Sequence, residues 1–143
     1  MRETTISSRG GVPGAYERAT ELEAYRRVGT SGRHVHQSET YGFRFGDRLG
    51  WITDSGYYDG IAEQHRADVM VIHTVLRDCV PTLPHLCIAD AERIIRDAKP
   101  KIAFLTHYGM AVWRANPEEI AADLSRRTGT DVRAAKDGLS IDL

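Results

Sequence analysis

The sequence holds only two cysteines, Cys79 and Cys87, among 143 residues. They can pair on spacing alone, but they build no disulfide framework and lie too far apart for a C-x-x-C redox pair. A reduced, cytoplasmic chain is therefore the expectation. An excess of charge of either sign is also missing. Lys plus Arg number 19 and Asp plus Glu 20, for a formal net charge of -1. Without bulk basicity, net charge gives no indication of nucleic-acid binding, although a local patch is compatible with this balance. No apolar run approaches the roughly 20 residues needed to span a bilayer, so no membrane partner is expected. The opening MRETTISSRG lacks the apolar stretch of a secretory signal. Phosphate-loop, nucleophile-elbow and H-E-x-x-H motifs are absent as well. What is there is 41% hydrophobic and 27% charged, the mix of a soluble globular chain of one-domain size.

Residues 1–33 differ from the rest. They hold Gly10, Gly11, Pro13, Gly14, Gly29 and Gly32 among scattered Ser, Thr and Arg. One helix is expected from about Glu17 to Arg27, with a thin apolar stripe of Leu22, Ala24 and Tyr25. This segment reads either as a loosely packed arm or as a cover for a neighbouring subunit or a missing piece of its own fold. Residues 34–143 form the dense part. GFRFGDRLGWITD reads as a hairpin turning at Gly46-Asp47-Arg48. A short helix follows at Gly60–His65, and DVMVIHTVL suits a strand buried on both faces. Pro81 and Pro84 mark a loop, and Ala91, Ile94, Ile95 and Ala98 fall at helical spacing before Lys99-Pro100. KIAFLTH is another buried strand. Asn116, Pro117 and Glu119 open a helix that Gly129 closes. A final hairpin is expected around Asp137-Gly138. The order β-β-α-β-α-β-α-β-β fits an α/β (α+β) layered architecture.

Three polar residues stand at the edges of apolar segments, where α/β sheets place binding crevices. Asp54 follows GWIT, His107 follows KIAFLT, and His36 precedes GFRF. One Asp and two His are natural ligands for zinc or ferrous iron, provided that they converge. The plainer reading makes Asp54 the cap of a turn with Ser55-Gly56 and His107 a simple strand-end histidine. His34 can join His36, because H-x-H sends both side chains to one face of a strand. His85, after Pro84 and before a helix, can donate to an anion, or is a surface histidine. His73 reads as a satisfied polar residue within or beside the core, and His65 as a solvated helix residue. Gly56, Gly109 and Gly138 permit sharp turns beside a bound group, or plain turns. Asp137 either accepts from a site histidine or shapes the Asp-Gly turn. Tyr57, Tyr58, Tyr108 and Trp113 either line a mouth over the strand ends or pack ordinarily.

Four segments in order, HQSETYGFRF, GWITDSGYY, PHLCIADAERII and KPKIAFLTHYGM, resemble the C-terminal half of a metallo-β-lactamase-fold hydrolase. The likeness covers about residues 34–143, is greatest to the branch of tRNase Z and phosphodiesterases, and extends to the tail AAKDGLSIDL. It implies half of an αββα sandwich, a mixed sheet with helices on one face. It implies metal ligation by His36, Asp54 and His107, with Asp54 bridging two ions. It also implies a role for His85 near a substrate phosphate or leaving group.

The sequence departs from the family pattern in one respect: it contains no H-x-H-x-D-H. His34-Val35-His36 continues into Gln37 and Ser38 and already occupies the later histidine position. Each metal site then keeps two of its usual ligands, and the Asp that orients the nucleophilic water is missing. The resemblance therefore implies a metal-dependent, phosphodiesterase-like hydrolase half-domain. Its site would be completed by self-association into a homo-oligomer or by a complementary subunit bearing H-x-H-x-D-H. The expected cofactor is zinc, one or two ions, with iron or manganese as substitutes. The expected substrate is a phosphodiester or another small molecule. The alternative is a non-catalytic metal-binding or protein-interaction module derived from such a hydrolase.

Overall fold

The computed structural model describes residues 40–143, together with His36, Ser38 and the backbone of Leu22–Arg26. Six strands form one sheet in sequential order: β1 (Leu22–Arg26), β2 (Tyr41–Phe45), β3 (Leu49–Ile52), β4 (Val69–His73), β5 (Ile102–Thr106) and β6 (Asp131–Ala134). The first three pair antiparallel, and β3 to β6 run parallel. Parallel neighbours need crossovers. Helices α1 (Ile61–Gln64), α2 (Ile88–Ala98), α3 (Met110–Arg114) and α4 (Pro117–Thr128) lie in those connections.

Strand alternation sorts the sheet into two unlike faces. Ile52, Met70, Ile72, Ala103, Leu105 and Val132 join the core beneath α1, α2 and α4, meeting Ile61, Ala91, Ile94, Ile95 and Leu124. Each fully buried Ile or Leu there contributes about 1.5–3 kcal/mol. The opposite face carries the cross-strand row Phe43, Trp51, Val71 and Phe104. Only Phe104 of that row is buried, and no helix among the described residues covers it. The result is a mixed sheet with helices on one face, the half of an αββα sandwich expected from the sequence.

Local signals explain the long helices. In α2, the Cys87 Sγ accepts from the Asp90 N–H and the Asp90 carboxylate accepts from the Cys87 N–H, a reciprocal cap. In α4, the Asn116 side chain accepts from the Glu118 N–H and donates to Glu119. Gly129, at φ 75°, ends that helix.

Several expectations are corrected. Strand β1 occupies the segment read as a helix from Glu17 to Arg27. Leu22 and Ala24, two apart, suit a strand as well as a thin helical stripe, and pairing with β2 decides the matter. The rest of residues 1–33 lies outside the described residues. The C-terminal hairpin does not form. Gly138 turns at φ 86°, but Leu139 and Leu143 remain exposed beyond the last strand of the sheet. His65 is fully buried rather than solvated. Its Nδ1 bonds the Ile61 carbonyl, and its ring and backbone pack under two strands where only glycine fits. A Cβ on Gly42 would lie 1.9 Å from His65 Nε2, and one on Gly50 would lie 1.8 Å from the His65 carbonyl oxygen. Finally, Cys79 and Cys87 form a disulfide, against the expectation of a reduced chain. A parallel bridge between Leu76 and Cys87 folds the proline loop back on itself and brings the two Cα atoms to 5.0 Å.

Candidate metal centre

Three adjacent parallel strands bring the polar groups together. Asp54 lies two residues beyond β3, His73 is the last residue of β4, and His107 follows β5 directly. Because β3, β4 and β5 point the same way, all three residues fall at one sheet edge, the carboxyl end where α/β sheets bind ligands. The Asp54 Oδ1 lies 3.0 Å from His73 Nδ1 and 3.2 Å from His107 Nε2. The two imidazoles stack with centroids 4.6 Å apart.

The backbone around each residue is fixed. Thr40 donates to the Asp54 carbonyl at 2.9 Å, and Thr53 donates to the Tyr41 carbonyl. His107 adopts φ 58°, a left-handed conformation that a side chain enters at a cost, and that cost is commonly met at functional sites. Bonds on both sides hold this step. The Thr74 N–H donates to the Thr106 carbonyl at 2.8 Å, and the Gly109 N–H donates to the Val75 carbonyl at 3.0 Å. A Cβ on Gly109 would come within 2.4 Å of that Val75 oxygen, so glycine serves close backbone approach there.

His36 and His85 form a second pair. Their rings meet edge to face at a centroid distance of 5.1 Å, and His36 Nδ1 lies 3.1 Å from Ser38 Oγ. The Nδ1 of His85 is buried with no hydrogen-bond partner among the described residues. His36 thus stands beside His85 and is not part of the group in which Asp54, His73 and His107 each offer a donor atom within 4.8 Å of the others. His34 lies outside the described residues.

Electrostatics link this pair to the Asp54, His73 and His107 group. Burial tends to raise the Asp54 pKa. The hydrogen bond from His73 and the charges of His107, His73 and His85 together outweigh it, so the carboxyl sits below its ordinary range. Burial pushes His85 below the usual imidazole value, and the positive charges of His36 and His107 add to this against the pull of Asp54. At neutral pH the edge therefore offers a carboxylate and a neutral His85.

His73 was expected as a satisfied polar residue in or beside the core. It is satisfied, but by Asp54 and by Trp51, whose indole Nε1–H donates to His73 Nε2 at 3.2 Å. The available signal was parity, since His73 shares its face with Val69 and Val71 rather than with the core residues Met70 and Ile72. The other candidates lie in turns or beside the core. Ser55 Oγ donates to the Gly56 carbonyl, whereas the Asp54 carboxylate meets His73 and His107. Gly138 and Asp137 lie in the turn closed by the Leu139 N–H to the Lys136 carbonyl. Tyr57, Tyr58 and Tyr108 pack partly buried against the core, whereas Trp113 is exposed.

Carboxylate oxygen and imidazole nitrogen are donors that zinc, ferrous iron and manganese accept, so the residues fit a divalent metal. Asp54, His73 and His107 number fewer than the four ligands of a closed site, so among the described residues the metal-binding set is incomplete.

A half sandwich with an incomplete Asp/His metal set at its strand ends defines a metallo-β-lactamase-type fold. Residues 12–108 match the family model described as "Beta-lactamase superfamily domain", and the chain belongs to that family. The match takes in residues 12–33, which sequence composition sets apart. No curated protein matches the chain. Among solved structures, the metallo-beta-lactamase fold protein YhfI from Bacillus subtilis is similar at 18% identity and TM-score 0.66, over 83% of this chain and 48% of that one. A diphosphatase from the PhnP family is similar at 26% identity and TM-score 0.56, over 77% and 40% respectively. Igni18, a metallo hydrolase from Ignicoccus hospitalis, is similar at 15% identity and TM-score 0.61, over 96% and 58%. The chain thus spans about half the length of the solved proteins it matches. No helix among the described residues is long and apolar enough to cross a membrane.

Proposed function

We propose that this chain is the half-domain of a metal-dependent hydrolase of the phosphodiesterase-like kind, completed by a second copy or by a subunit bearing H-x-H-x-D-H. The observation that carries the reading is the meeting of Asp54 and His107, 3.2 Å apart, at the ends of the two strands that flank β4, with fewer donors among the described residues than a metal site needs. A second feature supports the need for a partner. The row Phe43, Trp51, Val71 and Phe104 lies on the face away from the helices, where the sandwich places its other sheet.

In this reading Asp54 and His107 hold the ion, taken to be zinc, and His36 joins them once the partner is in place. The bound ion would lower the pKa of a water and polarise the scissile group. His85 is neutral at pH 7 and stands next to His36, so its ring can hydrogen-bond the attacked phosphoryl group or the leaving oxygen without adding charge repulsion to the metal. The low pKa of Asp54 keeps its carboxylate ionised, as ligation requires.

The test is hydrolysis of a chromogenic phosphodiester by the zinc-loaded chain. It is assayed alone over a range of concentrations and mixed with a chain from a neighbouring reading frame that carries H-x-H-x-D-H. Activity that appears on mixing, or that rises more steeply than chain concentration, supports the proposal. Zinc-loaded, folded protein that is inactive in both arms contradicts it.

A further inference from the structure

We infer that His73 is a positioning residue for Asp54 rather than a metal ligand, and that Trp51 sets its tautomer. This rests on the metal reading above only for its consequence; the tautomer stands on hydrogen bonding alone.

An indole Nε1 can only donate. Trp51 Nε1 lies 3.2 Å from His73 Nε2, so that nitrogen must present its lone pair. In a neutral imidazole the proton then resides on Nδ1. His73 Nδ1 lies 3.0 Å from Asp54 Oδ1, and the Nδ1–H is donated there. The chain of donation runs from Trp51 through His73 to Asp54 in one direction. Both ring nitrogens are thereby engaged with protein, although His73 falls within the group able to hold an ion. Ligation through Nδ1 would strip off the proton that Asp54 accepts. Ligation through Nε2 would expel the indole.

The sheet explains why this relay holds. Trp51 pairs with Val71 in the β3–β4 register, and His73 lies two residues on, on the same face. Its side chain is only 15% exposed, and that of Asp54 is 27% exposed, so the bond is shielded from water. His107, at 53%, is the open member of the trio. The division of labour is then clear. His107 faces an incoming ion, whereas His73 fixes the carboxylate that the ion meets, as hydrogen-bonded partners of metal ligands do elsewhere.

The experiment uses the full chain labelled with nitrogen-15. Long-range proton–nitrogen spectra read each imidazole tautomer, and zinc titration reads affinity. The expected result is a His73 ring protonated on Nδ1. Trp51→Phe is expected to shift that ring towards the Nε2–H form and to weaken zinc about tenfold. His73→Ala should weaken zinc 10- to 100-fold at unchanged stoichiometry, and His73→Asn, whose amide can donate from nearly the Nδ1 position, should recover most of the loss. An Nε2–H ring in the unsubstituted protein overturns the inference. So does a Trp51→Phe variant with the tautomer unchanged, or loss of a whole zinc equivalent in both His73 variants. If the chain takes up no zinc at all, the proposed function fails, and the tautomer spectra alone still decide this inference. Trp51→Phe keeps a ring at position 51, which keeps the test available if His73→Ala does not fold.

Discussion

The Nε2 of His107 lies 3.2 Å from the Oδ1 of Asp54, although Asp54 follows β3 and His107 follows β5, the two strands that flank β4 in the sheet. The parallel run of β3, β4 and β5 brings both residues to one sheet edge, where Asp54, His73 and His107 form a group able to hold an ion.

Asp54→Ala removes the acceptor shared by His73 and His107. Zinc binding, measured by titration calorimetry, is expected to fall at least a hundredfold, because a ligand is lost and not merely reoriented. Circular dichroism should show the fold retained, since Asp54 lies outside the helix-packed core.

His85→Ala is expected to separate chemistry from metal binding. Turnover of the completed enzyme should fall about 100- to 1000-fold, the scale of losing one donor to developing charge. Zinc content should stay constant. A parallel fall in zinc would make His85 a ligand.

Tyr108, next in sequence to His107, gives a pH signature in the stability of the fold. Its hydroxyl donates to the Leu105 and Ala135 carbonyls, tying β5 to the segment after β6. Burial pushes its pKa up to about 12. The folded state therefore favours the neutral phenol. The stabilisation is complete below the unfolded value near 10 and is lost as pH rises through 12. Urea midpoints recorded from pH 9 to pH 12 should fall more steeply for the unsubstituted protein than for Tyr108→Phe.

Two backbone features carry stability. Reduction of Cys79–Cys87, or Cys79→Ser, releases a short loop and is expected to cost about 2–3 kcal/mol in denaturant unfolding. Gly50→Ala drives a Cβ to within 1.8 Å of the His65 carbonyl oxygen, a backbone atom that cannot swing away. A loss of about 3 kcal/mol or more is expected.

Much of this was legible in the sequence. Asp54 and His107 stand out because each ends an apolar run, and Asn116-Pro117 and Gly129 bracket α4 by cap chemistry alone. What stayed hidden depends on tertiary partners. β1 is a strand because β2 is beside it, and five residues with Leu22 and Ala24 do not carry that information alone. His73 looked like core because β4 is apolar at every other position, and only the placement of the helices on one face shows that its side is the open one. His65 looked like a surface helix residue until Gly42 and Gly50 were seen to lie over it. Cys79 and Cys87 meet because Leu76 bridges Cys87, a contact with no sequence signature.

The most direct measurement is zinc per chain, by elemental mass spectrometry, alongside molar mass by light scattering, for the unsubstituted protein, Asp54→Ala and His107→Ala. Zinc is expected in the associated species, whether a homo-oligomer or a complex with the H-x-H-x-D-H chain, and is expected to be lost in both variants while association persists. Equal zinc in all three proteins, or none in a stable assembly, would contradict it.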